Sequence, residues 1–246
     1  MSNKTEKFWH IRSANYDKLF WTKDEDYLNA IIRAGHFKKS DLVLDVGTGT
    51  GIVAKKIKPL VKHVVGIDIS GSMLEKGSWE GVSVVNGDIR ENLFADNLFD
   101  KIIARMVFHH ILYNLNGAIS QCYEVLKKGG RLVVAEGVPP SDDREIVNWY
   151  SSVFKLKEKR RTFTNKDLVN YLKKNGFKNI QTRVYMIDNF SIKNWLRNSG
   201  LPISKQHKIM QLHIKANKKI KDVYQMKITK NDCLIRTKNI IITGEK

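Results

Sequence analysis

Cysteine is almost absent from this chain: 246 residues hold two, Cys122 and Cys233, in separate elements. That excludes a disulfide framework and points to a reducing compartment. Long apolar runs are absent too. None approaches the roughly 20 residues that a membrane helix needs, so no spanning segment and no membrane partner are expected. The first residues, Met1-Ser2-Asn3-Lys4-Thr5-Glu6-Lys7, lack the apolar core of a secretory signal, and a cytoplasmic location is expected. No Cys/His cluster has zinc spacing. His109 and His110 are adjacent, and neighbouring side chains diverge on a helix or strand, so no metal is expected there. Acid is scarce: 25 Asp and Glu stand against 43 Lys and Arg, a net charge of +18. The surplus is uneven. Residues 41–100 hold six basic and nine acidic side chains, 155–178 nine and two, and 190–230 ten and one. A mildly acidic first half and a basic second half can concentrate an anionic partner near a cleft, although a solvated lysine face reads the same way.

What the chain does have is a short apolar run ending in an acid and three alternate glycines, Leu42-Val43-Leu44-Asp45-Val46-Gly47-Thr48-Gly49-Thr50-Gly51. The run reads as a buried strand. Glycines accept positive φ and let a ligand approach the backbone. Ile52 to Ile57 follows with helical spacing, so strand, turn and helix build a nucleotide-type pocket. A P-loop is excluded because Ile52, not Lys, follows Gly51. The dinucleotide fingerprint fails from Gly47, where Ile52 is too large, but fits from Gly49, where Ala54 takes the last place. Spacing alone leaves a nicotinamide dinucleotide open.

Four more strands follow at βα spacing. Val64 to Asp68 ends in an acid 17 residues after Gly51, placed to accept both ribose hydroxyls. Val82 to Asn86 leads into Gly87-Asp88-Ile89, where Asp88 also suits a turn or N-cap. Phe99 to Arg105 ends at Met106-Val107-Phe108-His109-His110-Ile111, and Gly130 to Glu136 follows Leu126-Lys127-Lys128-Gly129.

The D-x-G-x-G-x-G run from Asp45, the segment Asp68-Ile69-Ser70-Gly71-Ser72-Met73-Leu74, Gly87-Asp88-Ile89 and the Leu-Lys-x-Gly-Gly-x-Leu run from Leu126 occur in that order. Together they resemble the motifs of class I S-adenosylmethionine (SAM) methyltransferases, over residues 8–189. Asn15-Tyr16-Asp17 and His109-His110 are similar to the small-molecule branch that includes the ubiquinone/menaquinone-biosynthesis enzymes. The resemblance implies an α/β, Rossmann-like sheet of seven strands, mostly parallel with strand seven antiparallel, and SAM as cofactor. It implies a cofactor site of Asp45, Gly47, Thr48, Gly49, Gly51, Asp68, Ile69, Met73, Gly87, Asp88 and Ile89, with Asp88 on the adenine amino group and Met73 beside the ring. Met73 and Leu74 fit plain core packing as well. An N-terminal helix is expected over this site, with Tyr16 facing the methyl donor. Arg105 is a candidate for the SAM carboxylate, an acceptor anion or a surface ion pair.

The expected organisation is a helical cover at 1–40, the SAM-binding unit at 41–189, a helical cap at 190–230 and the last strand at 231–246. The cap stands between strand six (Ile180 to Ile187) and strand seven (Leu234 to Ile242), where the family has a short turn. Ser191 to Ser199 reads as one short helix and Ser204 to Met226 as one longer one. Such a cap lies where substrate enters. Its Lys205, His207, Lys208, His213 and Lys215 are candidates for an anion, and Tyr16, His109, Lys208, His213 and Tyr224 are the expected acceptor contacts.

Methyl transfer from a sulfonium is an in-line displacement, so the protein orients the partners and excludes water. A hydroxyl acceptor also needs its proton removed. His110, then His109, are the expected bases, because both follow strand four and histidine titrates near neutral pH. Tyr16 completes the expected catalytic set. The expected function is methyl transfer to a small anionic acceptor at O, C or N. An RNA or protein methyltransferase is the first alternative, although no nucleic-acid module and no Asn/Asp-Pro-Pro-Tyr/Phe motif is visible. A non-catalytic SAM-binding subunit is the second. Oligomeric state is left open.

Overall fold

A computed structural model describes residues 3–246. Five apolar runs, Leu42–Val46 (β1), His63–Asp68 (β2), Val82–Asn86 (β3), Phe99–Arg105 (β4) and Leu126–Val138 (β5), pair in parallel in the order β3-β2-β1-β4-β5. Lys178–Ser191 (β6), Lys227–Ile228 (β7) and Cys233–Glu245 (β8) complete the sheet. β8 lies between β5 and β6 and is antiparallel to both, and the two-residue β7 pairs with its start. The sheet thus has eight strands, one more than expected. β6 and β8 run longer than the sequence suggested, because each continues past the sheet edge into the cap.

The helices are Asn3–Ser13 (α1), Glu25–Gly35 (α2), Ile52–Ile57 (α3), Gly71–Leu74 (α4), Leu115–Val125 (α5), Arg144–Lys157 (α6), Asn165–Lys174 (α7), Ile192–Arg197 (α8), Ile203–Ile214 (α9) and Lys218–Val223 (α10). The central strands are apolar on both faces because both are covered. On one face α5 and α7 seal Leu44, Ile102, Leu132 and Ile242. On the other, α2 and α3 seal Val43, Val64, Ile103 and Val133. Each such side chain, fully buried, contributes about 1.5–3 kcal/mol. α2 therefore belongs to the sheet's own core rather than to a cover. Thr164 starts α7 with a full capping box, and Gly176, at φ 89°, ends it in a left-handed turn that favours glycine.

A third apolar cluster builds the cap. Ile146 and Val153 of α6 meet Trp195 of α8, Ile209 of α9, Ile220 of α10 and Ile235 of β8, and Leu19 joins from the N-terminal segment. α6 is thus part of the cap as well as of the connection after β5. The single long helix expected from Ser204 is two. α9 ends at Ile214, and Asn217 restarts the chain by accepting the Ile220 N–H at 3.0 Å.

Candidate active site

Strand order reverses between β1 and β4, which opens a crevice at their C-terminal ends. A cleft of about 520 Å³ occupies it. Asp68 is fixed there by two backbone donors: Gly49 N–H donates to Oδ2 at 2.8 Å and Ser70 N–H to Oδ1 at 2.9 Å. Burial pushes the Asp68 carboxyl up, and those two N–H groups oppose the rise. Gly47 and Gly49 lie at φ 67° and 60°. A Cβ on Gly47 would stand 2.5 Å from Val107, and one on Gly49 3.2 Å from Met73, so side chains there would fill the cradle. Ile69, Met73, Gly87, Asp88, Ile89 and Arg105 also line the cleft. Arg90 pairs with Asp88 from the same wall, its Nε 2.9 Å from Oδ1. Arg105 Nη2 donates to the Trp21 and Thr22 carbonyls at 3.1 and 3.0 Å, while its buried Nε has no partner among the described residues. An unpaired guanidinium donor beside a glycine cradle suits a carboxylate.

Asp45, Thr48 and Gly51 do not line the cleft. The Asp45 carboxylate is buried behind the loop and accepts from Thr48 Oγ1 at 2.7 Å. Burial pushes its carboxyl up to about 7. Gly51, at φ 83°, caps α3 with Trp79 behind it. These three hold the loop's shape from the rear. Asp17 serves the same loop by accepting from Thr50 Oγ1 at 2.7 Å.

α1 closes the cleft from above. The Glu6 carboxylate accepts from Ser72 N–H at 3.0 Å and from the Ser70 and Ser72 hydroxyls, which pins α1 to α4. Trp9 lines the cleft and meets the His110 ring edge-to-face at 4.7 Å.

Beyond it lies a smaller chamber of about 110 Å³. Tyr16, Met106 and His110 line both compartments, which adjoin at these three residues. Met106 holds a left-handed backbone at φ 56°, a conformation costing about 1–3 kcal/mol for a side chain of this kind. Trp21, Trp149, Tyr150, Phe154, Phe190 and Trp195 wall the chamber. Four cations, Arg12, Lys157, Arg160 and Lys238, reach it. The first three surround the buried Glu158 carboxylate: Arg12 in direct contact, Lys157 at 2.7 Å and Arg160 at 3.9 Å. Burial alone would raise the Glu158 carboxyl, but Lys157 and Arg12 outweigh it and hold it well below the usual range. Burial also pushes the Lys157 ammonium down to about 7.

His109 is buried, and its Nδ1 lies 2.6 Å from Oε2 of Glu136, which is fully buried at the end of β5. The His109 backbone N–H donates to the other Glu136 oxygen at 3.3 Å. Burial holds both His109 and His110 neutral, with Arg160 adding to the effect on His109 and His109 on His110. A neutral His109 donating from Nδ1 carries its lone pair on Nε2. His109, His110 and Glu158 offer ligand atoms within 4.8 Å of one another. The three cations around Glu158 already neutralise the charge a divalent ion requires, so the electrostatics oppose a metal there.

In the cap, His213 and Tyr224 line the chamber. His213 Nδ1 donates to the Ile209 carbonyl at 2.8 Å, and burial lowers its pKa to about 4. Lys208 does not reach the chamber. It lies with His207 and Lys215 in an open groove on the cap's outer side, because Ile209 and His213 set the buried face of α9. Lys205 is exposed as well. The signal for Arg12, Lys157, Glu158 and Arg160, all missed in the sequence, is charge beside aromatic residues in segments that read as amphipathic; for Glu136, missed as well, it is an acid in an otherwise apolar buried run.

Residues 20–182 match the family model described as a methyltransferase domain. The chain belongs to that family. This methyltransferase is 25% identical to the uncharacterized methyltransferase YcgJ of Bacillus subtilis (strain 168) over an alignment of 268 residues that spans all of both chains. It is 36% identical over 118 residues to the demethylmenaquinone methyltransferase of Thermotoga maritima, covering 46% of this chain and 51% of that one. The crystal structure of YcgJ has the same fold, with a TM-score of 0.81 at 22% identity over 90% of this chain and 98% of that one. Phosphoethanolamine N-methyltransferase 2 of Haemonchus contortus, in complex with S-adenosyl-L-methionine, shares it at a TM-score of 0.62 and 18% identity, over 95% and 57% of the two chains. Membership of the methyltransferase family makes SAM the cofactor of this chain, and the dinucleotide that spacing left open is set aside. No helix among the described residues is long and apolar enough to cross a membrane.

The cleft fits SAM. Arg105 Nε would supply a donor for its carboxylate, and Gly47 and Gly49 put no side chain into the cleft. Asp68 would accept from the ribose hydroxyls with the lone pairs its two N–H partners leave. Asp68→Ala is expected to weaken SAM binding by more than ~1.4 kcal/mol, a factor of ten, in a calorimetric titration. Unaltered affinity would remove Asp68 from the ribose.

Proposed function

We propose that this methyltransferase acts on a small, ring-bearing acceptor with an ionisable hydroxyl, held in the aromatic chamber. The observation that carries this reading is that Tyr16, Met106 and His110 line both the SAM cleft and an adjoining aromatic-walled chamber. SAM supplies an electrophilic methyl group on its sulfonium. The remaining work is positioning and proton removal. The aromatic walls exclude water and stack the acceptor ring. His109 takes the hydroxyl proton at Nε2, and Glu136 fixes its tautomer and stabilises the imidazolium that forms. His109 is favoured over His110 because only His109 has a carboxylate partner at hydrogen-bond distance. His110 and Tyr16 stand where the two compartments adjoin.

Charge supports an anionic acceptor. Arg12, Lys157, Arg160 and Lys238 line the chamber, and the buried carboxylates beside it are Glu158 and Glu136, so cations are in excess. Burial pushes Glu136 up to about 7 and Lys157 down to about 7, which trims both signs alike and keeps the surplus. A deprotonated acceptor oxygen neutralises it.

The test uses SAM labelled in its methyl group, the purified enzyme and a cell extract as source of acceptors. Label is expected in the small-molecule fraction. Label confined to acid-precipitable RNA or protein would overturn the reading and favour the exposed lysines of α9 as a macromolecular contact.

A further inference from the structure

Two polar atoms in the chamber wall have no hydrogen-bond partner among the described residues: the amide nitrogen of Asn239 and the hydroxyl of Tyr224. Both side chains are deeply buried, at 5% and 3% exposure. Buried polar groups are nearly always paired, so two orphans on residues that line one chamber point to a ligand atom there. Asparagine is also a poor strand residue, yet Asn239 stands in the middle of β8, directly before Ile240-Ile241-Ile242.

The β5–β8 register sets Asn239 opposite Gly137. The Gly137 carbonyl is already engaged by the Tyr150 hydroxyl at 3.1 Å and by Arg160 Nη2 at 3.4 Å. Its missing side chain is what matters. A Cβ there would stand 3.5 Å from Asn239 Oδ1, 3.5 Å from Met106 Cε and 3.8 Å from Tyr150 Oη, all ordinary contacts. A methyl-sized space therefore remains between Met106 and the Asn239 side-chain amide, whose oxygen borders it.

Resting on the reading of the chamber as the acceptor site, we infer that the acceptor carries a second oxygen, remote from the hydroxyl that His109 deprotonates. Asn239 and Tyr224 donate to it, and Gly137 leaves room for the ring edge that bears it. The class this selects is a hydroxyaryl carbonyl or its vinylogous equivalent. Conjugation through the ring acidifies the hydroxyl and spreads the resulting charge onto the second oxygen, where the two donors stand. The excess of cations along the chamber favours the same delocalised anion.

The test loads the full chain with S-adenosylhomocysteine and titrates two ring-matched probes calorimetrically. 4-Hydroxybenzaldehyde has the second oxygen; 4-methylphenol lacks it. Wild type is expected to bind the aldehyde at least ten-fold more tightly. Asn239→Leu is expected to bring the two affinities within three-fold while 4-methylphenol binds as before. Asn239→Ser, too short to reach, takes its place if the leucine variant does not fold. Gly137→Ala is expected to weaken both probes at least five-fold. Equal binding of the two probes by wild type, a ratio kept in the Asn239 variants, or an indifferent Gly137→Ala would each overturn this inference and leave the chamber reading standing. Failure of both probes to bind, with S-adenosylhomocysteine binding normally, would overturn the chamber reading and this inference with it.

Discussion

Replacing His109 with alanine is expected to lower methyl-transfer turnover by about 10²–10⁴-fold, the usual contribution of a positioned general base. SAM affinity should stay within about three-fold of wild type, because His109 lines the chamber and not the SAM cleft. Glu136→Gln should lose turnover in the same direction. A neutral amide no longer selects the tautomer that leaves Nε2 unprotonated, nor does it stabilise an imidazolium. His110→Ala should cost less than ten-fold, since His110 touches the ring of Trp9 and carries no carboxylate of its own. Single-turnover kinetics with bound SAM separate these outcomes from changes in affinity. Wild-type turnover in His109→Ala would end its assignment as base, and a deeper loss in His110→Ala would transfer the role.

The second large effect is on stability. Glu158→Leu is expected to destabilise the fold by about 3–5 kcal/mol, measured by urea unfolding, because it strands buried cations. Arg12 and Lys157 lean on that one carboxylate with side chains only 7% and 3% exposed. Their attraction to Glu158 acts in a desolvated setting, where a lone charge is costly. Adding Lys157→Met to Glu158→Leu should recover part of the loss, since it removes one stranded charge and fills the space with an apolar chain. A cost below about 1 kcal/mol for Glu158→Leu would mean that water reaches the cluster and screens it.

The cofactor half of the molecule was legible because its information is local. Asp45 to Gly51, Asp68 to Met73 and Gly87 to Ile89 are each one strand end with its loop, and strand order carries the three loops to one crevice. The errors there concern which way a residue faces. Asp45 looks like a ligand contact in the sequence, yet it points behind the loop to Thr48. The chamber was hard to foresee because its parts are far apart in the chain. Arg12 and Glu158 are 146 residues apart, and His109 and Glu136 are 27 apart. Neither pair has a spacing that any local pattern would flag. Lys208 was misread for a related reason. The composition of α9 shows its basic character, but only packing against α6 and β8 decides that Ile209 and His213 face inward and Lys208 outward.

α1 is pinned at two points: Glu6 to the serines that open α4, and Arg12 to Glu158 at the chamber. Eleven helical residues make a rod of about 16 Å. A rod fastened at both ends does not lift from one compartment without slackening at the other. Donor and acceptor therefore share a common door: if the arrival of one tightens it, linkage requires the hold on the other to rise by the same factor.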